Sequence, residues 1–385
     1  MRPWTGFIIV AAALTGCGGD APTGPSGDAF AWRLPARFPV PLVPDSNPMT
    51  NAKVDLGRHL FYDRRMSVTQ QFSCASCHQQ SLAFTDGLPV AVGATGQAHP
   101  RNSMTLANVA YPSSLNWANP LTRNHEQQAL IPMFGDNPVE LGLTGEEEAL
   151  LARFRADRTY QELFPAAFPE ASDPFSIDAI AKALATFQRT IISGDAPYDR
   201  YLAGDRGAIS ESAVRGESLF FSERLECHHC HSSFNMSGSV QYVGKEFRDT
   251  EFFNNGLYNI GGTGDYPADN RGLFTFTLKP EDMGKFKAPT LRNIAVTAPY
   301  MHDGSIATLE GVIDHYAAGG RTIDSGPYAG NGSKSPYKNG FVSGFTLTPA
   351  EREDILAFLR SLTDEGFLRD PRFANPWPAG GPGGP

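Results

Sequence analysis

The chain has no long hydrophobic run, no basic stretch and only five cysteines among 385 residues. Its apolar stretch near the start, Phe7 to Leu14, is too short to cross a bilayer. The formal charge is −9 and no basic cluster stands out, so nucleic acid is not an expected partner. Apolar residues are not scarce. Hydrophobic residues make up 41% and aromatics 11%, enough for a packed core, which excludes global disorder. Gly (39) and Pro (30) are plentiful, favouring short helices joined by long loops over a helical bundle. The length suits one large domain or two of ordinary size.

The start, Met1-Arg2-Pro3-Trp4-Thr5-Gly6, is basic, and an apolar run with small residues follows, as in an export signal. Leu14-Thr15-Gly16-Cys17 resembles a bacterial lipobox, in which the Cys is acylated and becomes the mature N-terminus. The alternative is ordinary cleavage nearby, with Cys17 incidental. The expectation is a lipoprotein signal peptide over 1–17 and a flexible tether over 18–30. The mature protein would be periplasmic, held by lipid on Cys17 to the outer membrane of a Gram-negative bacterium.

The other four cysteines form two Cys-x-x-Cys-His units, Cys74-Ala75-Ser76-Cys77-His78 and Cys227-His228-His229-Cys230-His231. In an exported chain two Cys-x-x-Cys pairs could form disulfides or a zinc site. The His directly after each second Cys decides for c-type heme attachment. Two thiols reach the vinyl groups of one porphyrin edge, and the next residue places an imidazole under the iron. His78 and His231 are then the proximal ligands, and His228 and His229 read as spectators. The sixth ligand at each iron separates an electron carrier, with both axial positions filled, from a peroxidase with one open. Spacing alone does not choose among the Met, His and Tyr candidates.

The chain also repeats itself loosely. Gly57-Arg58-His59-Leu60-Phe61-Tyr62 precedes the first motif and Gly216-Glu217-Ser218-Leu219-Phe220-Phe221 the second. A mainly α fold of two cytochrome c-like heme domains with long loops follows, over 31–205 and 206–370, with a disordered tail over 371–385. Thr144-Gly145-Glu146-Glu147 looks like a capping box opening a helix toward Phe154, and Ser176 to Ile192 carries helical periodicity. Thr348-Pro349-Ala350-Glu351 is a strong helix start, running through Leu362. Residues 237–284 read as loop.

Three stretches make the chain resemble the bacterial diheme cytochrome c peroxidase and MauG family from about Asn51 to Leu362. They are Leu56 to Arg65, Pro100-Arg101-Asn102, and the very specific Pro289 to Gly304. The resemblance implies a peroxide-reactive N-terminal heme, a C-terminal heme that stores or relays electrons, and a calcium ion between them. It implies roles residue by residue. Trp117 falls where the family places a Trp between the hemes. Gln128, with Gln127 as alternative, matches the peroxide pocket together with Pro132 and Glu140. Glu140 would be the acid–base group that moves a proton between the peroxide oxygens. Asn102, Thr297 and Pro299 match the calcium shell.

Two departures from the ordinary peroxidase pattern carry the most information. The distal His that ordinary members carry falls at Ala94, so the first heme would be five-coordinate as made; His99 is nearby in the wrong register. The axial Met of the second heme falls at Tyr316, on a stretch where Leu309, Val312, Ile313 and Tyr316 share a helical face. A phenolate would favour higher iron oxidation states than Met does. Ala98 to Tyr111, Leu115 to Pro120 and Ile131 to Asp136 narrow the resemblance to the MbnH-like branch, which accompanies copper-binding proteins and oxidises a partner Trp to kynurenine. The leading expectation is peroxide-driven oxidation of such a protein substrate. The alternatives are a scavenging peroxidase fed by a small cytochrome or cupredoxin, and a diheme electron carrier that is no enzyme.

Overall fold

The structure, a computed structural model, describes residues 30–247 and 250–383. The export signal, most of the tether and Cys17 lie outside the described residues. The fold is mainly helical, with strands confined to two short antiparallel pairs, Phe252–Phe253 with Phe286–Lys287 and Thr322–Ile323 with Gly330–Asn331.

Two helix pairs organise two cores, as the internal repeat predicts. In the first, Asn51–Tyr62 packs on Ile177–Arg189, and Leu56, Leu60, Phe61, Ile180, Leu184 and Phe187 are buried together. In the second, Glu211–Phe220 packs on Pro349–Arg360, burying Phe220, Ile355, Phe358 and Leu359. The repeated glycine sits at each crossing. A Cβ on Gly57 would stand 2.0 Å from the Ala183 carbonyl oxygen, and one on Gly216 would stand 1.9 Å from that of Asp354. No side chain fits there, so the repeat's Gly is a contact point between helix backbones. Gly57→Ala and Gly216→Ala are each expected to destabilise by about 2–3 kcal/mol, because overpacking outweighs the ~1 kcal/mol that alanine gains in helix propensity. Denaturant unfolding of the heme-loaded protein checks this, and an unchanged or raised midpoint would contradict it.

Capping follows the sequence at several helix starts. Ser176 accepts from the Ala179 amide, and Thr348 and Glu351 form a reciprocal capping box. The latter helix ends at Arg360, short of Leu362. Thr144 departs from expectation. Its hydroxyl donates to the Phe134 carbonyl (2.9 Å), Gly145 turns with φ +80°, and the helix begins only at Glu147. The loop before this helix is thereby pinned to the helix His125–Phe134, which serves the site.

The C-terminal tail also differs from expectation. Phe367, Leu368 and Phe373 join the first core rather than the second. Beyond them, Trp377 donates its indole N–H to the His59 carbonyl (3.0 Å), and the Arg64 amide donates to the Pro382 carbonyl (3.0 Å). The Gly/Pro composition masked these aromatic anchors, whose burial offsets the cost of ordering the segment. The returning chain also clamps the junction of the two cores. The Asp364 carboxylate accepts from the Ser193 hydroxyl and from the Gly194 and Asp195 amides.

Candidate active site

The first Cys-x-x-Cys unit is a single helical turn, Cys74–Cys77, braced by the Ser73 amide donating to the Ser76 hydroxyl (3.0 Å). Both thiols are free, and burial pushes them up to about 12. The chain then reverses through Ala83 and Phe84, both at positive φ, which turns the Phe84 carbonyl back onto His78. His78 Nδ1 lies 2.8 Å from that oxygen. The proton is therefore held on Nδ1, leaving Nε2 as the ligand nitrogen. Burial lowers the imidazole's pKa and keeps it neutral.

The second unit repeats this logic in a 3₁₀ turn, Cys227–His229. Cys227 and Cys230 are free, with thiols pushed to about 12 by burial. His231 Nδ1 lies 3.1 Å from the Pro289 carbonyl, and burial pulls the ring down to about 4. Cys227, Cys230 and His231 open onto a largely apolar cavity whose far lining includes Leu309, Ile313 and Tyr316. Paired free thiols, neutral imidazoles tethered through Nδ1, and an apolar cavity fit two c-type hemes.

Tyr316 rises from the helix Leu309–Ala317, which Thr308 caps. The residue is half-buried, its phenol near Cys227 and Cys230, and desolvation raises it to about 12. The Asn255 side chain beside its hydroxyl partly opposes that rise. Without a cation the phenolate is disfavoured; a ferric iron is the kind of charge that would reverse this. Met301 lines the same cavity, its sulfur 3.3 Å from Asn255 Nδ2. It stands inside the Pro289 to Gly304 stretch but was not singled out from sequence. Lys287 was also missed. It is fully buried, donates to the Ser114 carbonyl (2.7 Å), and burial pulls its amine down to about 7. A lone lysine in an extended segment gives no sequence signal for that.

The residues expected at the peroxide pocket lie on the helix His125–Phe134 and in the segment after it. Arg189 grips Glu126 with two bonds of 2.8 Å, fixing this helix on the first core. Gln128 is half-buried with an unpartnered, solvent-inaccessible Oε1, whereas Gln127 is exposed. That favours Gln128. Pro132, one turn on, accepts from the Leu141 amide (2.9 Å), which anchors Glu140. The Glu140 carboxylate lies close enough to influence both Cys74 and Cys77. Burial raises its pKa to about 7. The Ala94 amide donates to the Glu140 carbonyl (2.6 Å), and a Cβ on Gly93 would collide with the Val139 oxygen at 2.0 Å. The loop at Ala94 thus packs backbone-to-backbone and offers no ligand. His99 Nε2 is 3.9 Å from Glu140 Oε1, so this imidazole neighbours that carboxylate.

Trp117 lines the cavity onto which the second unit opens. Its indole N–H donates to the Asn102 carbonyl (2.9 Å), and its own carbonyl accepts from the Lys287 amide (2.8 Å). The segment Asn102 to Thr105 runs from it toward His78, near which the Met104 backbone lies. Asn102, Thr297 and Pro299 line the second cavity beside it. Asn102 Nδ2 donates to the Leu88 carbonyl (2.8 Å), which leaves its Oδ1 as an available oxygen donor.

A family model described as Di-haem cytochrome c peroxidase matches residues 51–207. The chain is 34% identical to the methylamine utilization protein MauG of Methylorubrum extorquens, covering 93% of this chain and 95% of that protein. It is 30% identical to the cytochrome c551 peroxidase of Pseudomonas aeruginosa, covering 82% and 80%. Among solved structures, a MauG-like protein associated with microbial copper homeostasis superposes with a TM-score of 0.89 at 49% identity, covering 91% of this chain and all of that one. With the two heme units and the shared fold, these similarities identify the chain as a diheme peroxidase-type oxidoreductase that belongs to the cytochrome c peroxidase and MauG family.

Proposed function

We propose that this enzyme reduces hydrogen peroxide and spends the oxidising equivalents at long range on a protein substrate. In its specific form the substrate is a Trp, converted to kynurenine, on a periplasmic copper-binding partner. The observation that carries the reading is Tyr316, whose phenol, raised by desolvation, lines the same cavity as His231. The similarity to a MauG-like protein tied to copper homeostasis supports the choice of partner.

The hemes, held by Cys74, Cys77 and His78 and by Cys227, Cys230 and His231, supply centres that surrender electrons to peroxide. Glu140 takes a proton from one peroxide oxygen and returns it to the other. Gln128 orients peroxide through its free Oε1, and Pro132 shapes the pocket wall. Trp117 relays charge between the two heme sites. Asn102 Oδ1 and oxygens of Thr297 and Pro299 hold calcium. All three are neutral donors, which suits a hard cation at modest affinity. A lipid on Cys17 keeps the enzyme at the periplasmic membrane surface.

A second reading has one observation in its favour. Met301 reaches the same cavity as Tyr316, and a Met ligand would make the second heme an ordinary electron acceptor serving a scavenging peroxidase fed by a small cytochrome or cupredoxin. Mass spectrometry separates the two. The heme-loaded enzyme, peroxide and a copper-binding protein encoded beside it should give a modified Trp in that protein. Fast peroxide-dependent oxidation of reduced cytochrome c with no such modification would favour the second reading. Trp117→Phe is expected to leave peroxide consumption intact and to lower substrate oxidation by roughly tenfold or more, about 1.4 kcal/mol of barrier. Equal rates in variant and parent would remove Trp117 from the route.

A further inference from the structure

The second heme-attachment turn carries a cluster that heme binding does not use. Glu223, His228 and His229 each direct one ligand-type atom to a common point, all within 4.8 Å of one another. His228 Nε2 is 3.5 Å from Glu223 Oε1, and His229 Nε2 is 3.7 Å from Glu223 Oε2. Glu226 Oε2 borders this group, 2.6 Å from His229 Nε2. We infer that Glu223, His228 and His229 form a binding site for a divalent transition-metal ion of the zinc or copper(II) kind.

Consecutive residues seldom aim both side chains at one point. Here Glu226 takes φ +59° and the 3₁₀ turn Cys227–His229 follows, which brings the two imidazoles side by side, their ring centres 4.2 Å apart. Phe341 stacks on the His229 ring at 4.0 Å and 6°, holding its orientation. The bland alternative is a surface ion pair between glutamates and protonated histidines. The contacts argue against it. Glu226 Oε2 and His229 Nε2 are both shielded from solvent, yet neither makes an aligned hydrogen bond despite their closeness. His228 Nδ1 is likewise shielded and unpartnered, which leaves its Nε2 on the Glu223 side as the free donor. The nearest cation on this segment, Arg224, is engaged by Glu351 at 2.6 Å and does not compete for the glutamates.

The donor set selects the ion. Two imidazole nitrogens with carboxylate oxygens suit zinc or copper(II), with copper(II) the tighter by the usual order of affinities; calcium and magnesium prefer all-oxygen shells. Heme attachment uses Cys227, Cys230 and His231, so both functions fit on one turn.

The test titrates zinc chloride into untagged, chelator-treated diheme protein by calorimetry. One zinc ion per chain is expected at micromolar affinity or tighter, with no response to magnesium. Losing even outer-sphere partners weakens metal sites about 10–100-fold, so Glu223→Gln with His229→Gln should weaken zinc binding by at least about a hundredfold. Added copper(II) should give an EPR signal with nitrogen splittings from two imidazoles, separate from the ferric heme signals. Both substitutions leave the attachment residues in place, and heme content is measured on each variant. Should the His variant lose heme, Glu223→Gln alone carries the test, because that side chain is 80% exposed and outside the motif. No zinc binding, or binding undiminished by removing these ligands, would overturn the site.

Discussion

Replacing Glu140 by glutamine is expected to slow the reaction with peroxide by roughly two to four orders of magnitude, the usual worth of a positioned acid–base group. Burial raises the Glu140 carboxyl to about 7. The sign follows from the shift. Below about pH 7 the group is protonated and cannot take the first proton; above it the carboxylate can. The rate should therefore rise with pH through about 7 and then level off. Glutamine keeps the shape and hydrogen-bonding reach but cannot titrate, so the inflection should vanish with the rate. Stopped-flow mixing of the ferric protein with peroxide, from about two pH units below the inflection to two above, reads both effects. His99 supplies the built-in control. Burial lowers its pKa, and it sits 3.9 Å from the carboxylate, so an inflection that survives in Glu140→Gln belongs to His99 instead. An unchanged rate would reassign proton transfer altogether.

Tyr316→Phe is expected to abolish the stabilised two-electron oxidised state while leaving both hemes attached. The half-buried phenol is raised to about 12 by desolvation, with the Asn255 side chain beside it. Such a group gives up its proton only to a cation, and once ionised it favours the more oxidised metal. Removing it should raise the second heme's potential by on the order of 0.1 V, within the roughly 0.8 V that axial ligands span. Redox titration and the decay of the peroxide-oxidised spectrum measure this. The variant keeps the ring and therefore the packing with Leu309 and Ile313. An unchanged potential and unchanged decay would hand the ligand position to Met301, whose sulfur lies 3.3 Å from the same Asn255 amide.

Local signals in the chain were read well where short-range rules decide. The helices Ile177–Arg189, Leu309–Ala317 and Pro349–Arg360 carry their periodicity and most of their caps in plain view. The repeated Gly was visible, but its purpose was not, because the closeness of Gly57 to Ala183 and Gly216 to Asp354 exists only after the helices cross. Thr144 misled because its hydroxyl prefers a tertiary partner, the Phe134 carbonyl, to the helix start beside it. The tail misled because composition weighs Gly and Pro above the two aromatics that dock it. In the site, attachment residues follow from spacing alone, since covalent chemistry fixes it. Gln128 over Gln127 needed the third dimension, which shields one amide and exposes its neighbour. Lys287, Met301 and the cluster on His228 and His229 depend on chain reversals that no local pattern announces.

The central claim is that one iron is open to peroxide while the other is capped, and that the two share the oxidising equivalents. EPR of the ferric diheme protein, repeated after one equivalent of peroxide, tests it most directly. The account predicts one high-spin and one low-spin ferric signal, both lost together on adding peroxide. Two low-spin signals indifferent to peroxide would contradict it, because both irons would then be capped and Glu140 would have no substrate to act on.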